Sequence, residues 1–137
     1  MMKIKTIYLA SPYNEKDKLQ KVAQDLEAAG FEVTSRWLCE EEPPFIKLHQ
    51  VAEEKLTSYA YRDVFDVLRA DMLIFFAHDP TEPIYRGGSC VEMGIAIGRN
   101  KHIFVVGPQQ NIFHYLEEVR HFATWEDCLA VLANKGK

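Results

Sequence analysis

Thr6-Ile7-Tyr8-Leu9-Ala10-Ser11-Pro12 decides how the rest of the chain is read. A short apolar run stopped by Ser-Pro has the pattern of a strand buried on both faces, as in a parallel sheet. After Asn14, the residues Leu19, Val22, Ala23, Leu26 and Ala29 recur at three- and four-residue spacing, and Gly30 stands where a helix is closed. A second strand is expected from Phe31 to Trp37. Cys39 to Phe45 carries three glutamates and Pro43-Pro44, and reads as a turn or lid because neither a helix nor a central strand tolerates that pair. Lys47 to Arg69 has helical periodicity, with room for one break near Ser58. It leads into a third strand, Met72 to Ala77. The loop His78 to Gly88 holds Pro80, Pro83 and Gly87-Gly88, and a helix is predicted from about Ser89 to Arg99. A fourth strand, Ile103 to Val106, ends at Gly107-Pro108, and a fifth is expected at Val119 to Phe122. Thr124 opens a last helix, with Asp127 completing an approximate capping box. Strands alternating with helices predict an α/β protein: a doubly wound, flavodoxin- or Rossmann-like parallel sheet of about five strands with helices on both faces. A length of 137 residues fits one domain, 1–137.

The net charge of −4, without a dense Lys/Arg stripe, gives counterion release little to work with, so a nucleic-acid polymer is disfavoured as partner. Cys39, Cys90 and Cys128 are odd in number, far apart and lack CxxC spacing, which suggests neither a disulfide framework nor a zinc site. The first apolar run is too short for a membrane span or a signal segment, so no membrane association and a cytoplasmic location are expected. His49, His78, His102, His114 and His121 show no ligand spacing and read as surface or structural, and no metal is expected. GxGxxG after the first strand, GxxxxGK[ST] and GxSxG are all missing, which excludes the usual dinucleotide, P-loop and nucleophile-elbow sites.

In doubly wound sheets ligands bind outside the carboxyl ends of the strands. That rule selects Ser11, Pro12 and Asn14 after the first strand, Trp37 and the segment after it, His78 to Ser89, and Gly107 to Phe113. The sharpest stretch is Gly87-Gly88-Ser89-Cys90-Val91-Glu92-Met93-Gly94-Ile95-Ala96-Ile97-Gly98. Ser89-x-x-Glu92 alone is a capping box, with the acid favoured by the helix macrodipole. Its neighbours argue for more. From Cys90 to Gly98 every residue but Glu92 is apolar or glycine, so the helix is expected to pack on several sides and its carboxylate to lie in a pocket. Gly87 and Gly88 let a ligand approach the backbone, and the helix start offers free N–H donors to an anion. Asp63 and Asp66 alone read as solvated helix charges and Asp71 as a helix-to-strand junction. Tyr8, in an otherwise apolar strand, is a core residue whose phenol needs a partner; a carboxylate at the rim would supply one.

Ile7-Tyr8-Leu9-Ala10-Ser11-Pro12-Tyr13, Arg62-Asp63 with Ala70-Asp71, Gly88-Ser89-Cys90-Val91-Glu92-Met93-Gly94, and Gly98 to Gly107 occur in an order and spacing that resembles the nucleoside 2-deoxyribosyltransferase family, whose relatives include hydrolases of nucleoside 5′-monophosphates. The resemblance implies Glu92 as nucleophile, Tyr8 as the phenol that orients it, and Asp63 as the carboxylate that meets the base and assists its protonation. It implies a glycosyl-enzyme ester resolved by a second base or by water, without metal or organic cofactor. Ser11 to Asn14 and Gly87-Gly88-Ser89, with Trp37 and Met93, would line the sugar and any 5′-phosphate. Relatives are usually dimers or larger, which points to Asn111 and Phe113 as residues completing a neighbour's site and to a homo-oligomer. Six residues before Glu92, where transferases carry an acid and monophosphate hydrolases a serine, this chain has Arg86; forked hydrogen bonding by arginine suits a phosphate. The expected substrate is a small-molecule nucleoside or nucleotide. The alternative is a non-catalytic nucleotide-binding module on the same fold.

Overall fold

The computed structural model describes residues 3–43, 46–78, 81 and 87–135. Five strands, β1 (Thr6–Ala10), β2 (Glu32–Val33), β3 (Met72–Phe76), β4 (His102–Val106) and β5 (Val119–Phe122), form one sheet in the order β2-β1-β3-β4-β5. Every pairing is parallel. Four α-helices flank it: α1 (Lys16–Ala28), α2 (Glu53–Leu68), α3 (Gly88–Gly98) and α4 (Trp125–Lys135). The chain leaves β1 toward β2 and leaves β3 in the opposite direction toward β4, so the connections reverse between β1 and β3. At such a switch point a crevice opens at the carboxyl edge. The doubly wound sheet expected from the sequence is therefore the fold.

The central strands are apolar throughout because both faces are covered. Ile7, Leu9, Met72, Leu73, Ile74, Phe75, Ile103 and Val105 are almost wholly inaccessible. On one side α1 and α4 are tied by Trp125 Nε1, which donates to Asp25 Oδ2 at 3.0 Å. On the other side α2 packs against α3, and α3 lies against β1, β3 and β4. α1 ends as the sequence predicted. Gly30 takes φ +97°, which frees its N–H for the Glu27 carbonyl and that of Phe31 for the Leu26 carbonyl, both at 3.0 Å. Thr124 Oγ1 likewise accepts the Asp127 N–H at 3.2 Å at the start of α4.

Two expectations change. The second strand, expected from Phe31 to Trp37, is reduced to Glu32–Val33, and Arg36–Cys39 turns into a 3-10 segment. Side chains replace the missing ladder: Ser35 Oγ accepts the Leu9 N–H at 2.6 Å and Trp37 Nε1 donates to the Leu9 carbonyl at 2.9 Å. The break in the long helical stretch falls at Val51-Ala52, not near Ser58. There Gln50 folds back onto the Lys47 N–H at 2.9 Å, closing a 3-10 turn over Leu48–Gln50, and Val51 and Ala52 are extended before α2 begins. α3 packs on several sides, against α2 and the sheet, as expected, and leaves one face uncovered. Ser89, Met93 and Ala96 face inward, but Val91 is 64% exposed and Gly94 is exposed beside it.

Candidate active site

Tyr8 sits in the middle of β1 and is wholly buried, so its phenol must find a partner inside the protein. The partner is Glu92, one turn into α3: Tyr8 donates its O–H to Glu92 Oε2 at 2.5 Å. Successive residues on a helix turn by about 100°, which is why Val91 faces out while Glu92 faces the strand. The capping-box reading of Glu92 does not hold. Gly87, with φ +80° and no side chain of its own to offer, is the N-cap of α3, and Ser89 lies inside the first turn with its buried Oγ unpartnered among the described residues. A left-handed N-cap without a Cβ keeps side-chain bulk away from the start of α3, where the Gly87 carbonyl takes the Cys90 and Val91 N–H groups.

Burial dominates the electrostatics. It drives the Glu92 carboxyl up to about 8, opposed by the Tyr8 hydrogen bond and by Arg62, and reinforced by the negative charges of Asp63 and Glu40. Asp63, three turns along α2, is pushed up to about 6, again chiefly by burial, with Arg62 opposing and Glu40 and Asp66 adding to the rise. The Tyr8 phenol is held well above its usual range by burial and by the Glu92 and Asp63 charges, so it stays a proton donor. The structure thus brings Tyr8, Asp63 and Glu92 into one electrostatically coupled group, drawn from β1, α2 and α3.

Two further residues belong to that neighbourhood: Arg62, which the sequence offered only as part of the Arg62-Asp63 motif and without a role, and Glu40, which carried no signal there. Arg62 folds back over the Tyr59 ring, with Cζ 4.7 Å from the centroid, and donates through Nε and Nη2 to Asp63 Oδ1 at 3.0 and 2.9 Å. It also pairs with the Glu40 carboxylate. Glu40 follows the 3-10 segment after β2, and nothing local to its sequence shows that it points toward α2. The expected lid is described only through Pro43; Pro44 and Phe45 lie outside the described residues, as does Arg86.

The rim residues are placed unevenly. Ser11 and Pro12 are buried directly after β1, where Ser11 Oγ donates to the Pro12 carbonyl at 2.9 Å, and Asn14 Oδ1 is buried without a partner. Trp37 and Met93, expected to line the substrate, belong to the hydrophobic core, and the Trp37 N–H is already engaged by Leu9. Asn111 caps the 3-10 segment Ile112–Tyr115 by accepting the Phe113 N–H at 2.9 Å, and Phe113 is 54% exposed. Asp66, expected to be solvated, is fully buried and binds Arg36 and Arg69. His114 is structural: it is buried, packs edge-on to Phe75 and accepts the Gln110 N–H at 2.9 Å. A separate cavity of about 750 Å³ between α1 and α4 is lined by Lys21, Asp25, Phe76 and Trp125 and includes none of Tyr8, Asp63 and Glu92. Among the described residues no group of His, Cys, Asp and Glu is placed to hold a metal ion, and no helix is long and apolar enough to cross a membrane.

The family model for nucleoside 2-deoxyribosyltransferase matches residues 7–124. No curated protein sequence matches the chain. Among solved structures, a 2-deoxyribosyltransferase from Bacillus psychrosaccharolyticus superposes with a TM-score of 0.69 at 21% identity, covering 93% of this chain and 95% of the other. The CMP N-glycosidase BcmB of Clostridium botulinum gives 0.60 at 20% identity, covering 93% and 98%. A conserved protein from Enterococcus faecalis V583 gives 0.60 at 17% identity, covering 97% and 99%. The match over most of the chain shows that it is an enzyme belonging to the nucleoside 2-deoxyribosyltransferase family.

Proposed function

We propose that this enzyme cleaves the N-glycosidic bond of a nucleoside or nucleoside 5′-monophosphate by attack of Glu92 on C1′. The observation that carries the reading is the hydrogen bond from the buried Tyr8 phenol to Glu92 Oε2. It fixes one carboxylate oxygen and leaves the other to act as nucleophile. As the Glu92 oxygen bonds to C1′, the C1′–N bond breaks, its electron pair goes to the base, and Asp63 delivers the proton the base needs to leave. A glycosyl ester on Glu92 remains. Water or a second base then attacks C1′, the ester bond breaks, and Glu92 is released as carboxylate, while Asp63 takes up the proton of the incoming group.

The buried atoms Asn14 Oδ1 and Ser89 Oγ, unpartnered among the described residues, together with the N-terminus of α3, suit the hydroxyls of a sugar and an anionic group at its 5′ position. That preference for a nucleotide is in keeping with the CMP specificity named for BcmB. A homo-oligomer belongs to the same reading: Tyr61, Phe65 and Val91 leave an exposed apolar surface on α2 and α3, and Ile112, Phe113 and Tyr115 leave another after β4. In that reading Asn111 and Phe113 complete a neighbour's site.

The test is incubation with a panel of nucleosides and 5′-monophosphates, with and without acceptor base, followed by chromatography. Free base with wild type and none with Glu92→Gln supports the reading, and dependence on acceptor base identifies a transferase. Tight binding of a nucleotide without base release, in wild type as in the variant, would replace the enzyme by a binding module.

A further inference from the structure

The chain after β2 turns back toward the catalytic carboxyls and is held there from two sides. From the β1–α1 side, Lys16 Nζ donates to the Glu40 carbonyl and the Tyr13 hydroxyl donates to the Glu42 carbonyl at 2.7 Å. From α2, the Tyr59 hydroxyl and Lys55 Nζ meet the Glu42 carboxylate at 2.5 and 3.3 Å. The Glu40 side chain is only 9% exposed and pairs with Arg62, itself 16% exposed. That guanidinium also serves Asp63 through two of its nitrogens. One cation is therefore shared between a carboxylate assigned to the reaction and one that is not.

We propose that Glu40 is a positioning residue of the active site: by sharing Arg62 with Asp63, it keeps the guanidinium from committing fully to the catalytic carboxyls. The proposal rests on the roles given above to Glu92 and Asp63. A carboxylate paired with a guanidinium of its own is held ionised and makes a poor proton donor. Sharing the cation, and placing a third negative charge nearby, favours the protonated forms instead. The charged and titratable groups around the pair all come from named elements. Tyr8 is on β1; Arg62, Asp63 and Asp66 are on α2; Glu92 is on α3; Glu40 follows β2. Tyr13 and Lys16 stand behind Glu40, where the Lys16 ammonium is engaged by the Glu40 carbonyl and, at 3.3 Å, by the Tyr13 hydroxyl. Neutralising Glu40 removes a like charge and releases Arg62 toward Asp63. For Asp63 both changes act in one direction and lower its pKa, and for Glu92 the loss of the like charge acts the same way.

The experiment is a titration of the side-chain carboxyls by carbon-13 NMR in the ligand-free protein, comparing wild type with Glu40→Gln and Tyr59→Phe. Tyr59→Phe loosens the same segment through Glu42 but keeps the Glu40 charge and the ring beneath Arg62. Asp63 and Glu92 are expected to titrate about one unit lower in Glu40→Gln and to stay in place in Tyr59→Phe. Both limbs of the pH profile for base release should move toward acid in Glu40→Gln, and Glu40→Asp should restore them. A folded Glu40→Gln protein whose two carboxyls titrate as in wild type would overturn the proposal. So would an equal shift in Tyr59→Phe, which would make the segment a structural strap only. Shifted carboxyls in a protein that releases no base from any substrate would uphold the positioning role and count against the reaction assigned to the site.

Discussion

Burial sets the proton inventory of the site. With Glu92 near 8 and Asp63 near 6, the free pair holds a single proton between those values. Attack needs Glu92 ionised and Asp63 protonated, which is the same proton count in a different arrangement. The pair titrates as a unit, so kcat/KM should be bell-shaped with limbs near about 6 and about 8; a profile that keeps rising above the upper limb would remove Asp63 from the role of acid. Glu92 also bears on stability. Its carboxyl titrates near 4.5 as a free group and near 8 when folded, so the native state holds an extra proton between those values. Ionisation therefore disfavours the fold progressively as pH rises through that window. Glu92→Gln should abolish base release and raise Tm, with little gain at about pH 5 and the full gain above about pH 8, as thermal melts across that range would report. At this scale Tyr8, Asp63 and Glu92 could be grouped from the sequence only through family resemblance, because their proximity joins three separate elements. The roles of Glu40 and of Arg62, the latter known from the sequence only as part of a motif, stayed hidden for a related reason. Their meaning depends on where a loop runs, which local composition does not encode.

At the level of elements, Asp66 joins α2 to the turn after β2. Its buried carboxylate accepts from the Arg36 N–H at 3.1 Å and from Arg36 Nε and Arg69 Nε at 3.0 and 3.1 Å. The substitution Asp66→Asn keeps the volume but removes the charge that both guanidiniums face. A loss of about 3 kcal/mol is expected, the low end for a broken buried pair because the Arg36 and Arg69 side chains remain partly solvated. Tm should fall by on the order of 10 °C; denaturation that leaves Tm unchanged would mean that the pair is neutral to the fold. Sequence periodicity located the helices well, since the apolar stripes of α1 and α2 recur with the helical period and Gly30 marks a real terminus. It overextended β2, because Ser35 and Trp37 satisfy the β1 backbone through side-chain groups, and nothing in a β-prone run distinguishes that from a ladder.

Over the whole molecule, the alternation of strands and helices sufficed for a parallel, doubly wound sheet, while the strand order and the switch point between β1 and β3 come from the structure. The outer face of α3 went unread in the sequence. Its run of apolar residues and glycine, broken only by Glu92, implied packing on several sides, and the structure adds an outer face on which Val91 is exposed, as are Phe65 and Tyr61 of α2. If a second copy covers that face, Phe65→Glu should convert the protein to a monomer in sedimentation velocity, whereas an unchanged sedimentation coefficient would leave α2 and α3 outside any interface. The central claim is that Glu92 carries the sugar. Acid quenching during turnover of a substrate found in the nucleoside and nucleotide panel, followed by peptide mass spectrometry, tests it most directly. The account predicts a glycosyl ester on the peptide containing Glu92, absent from the Glu92→Gln protein. Base release at an undiminished rate from Glu92→Gln, with no glycosyl mass on that peptide in wild type, would contradict it.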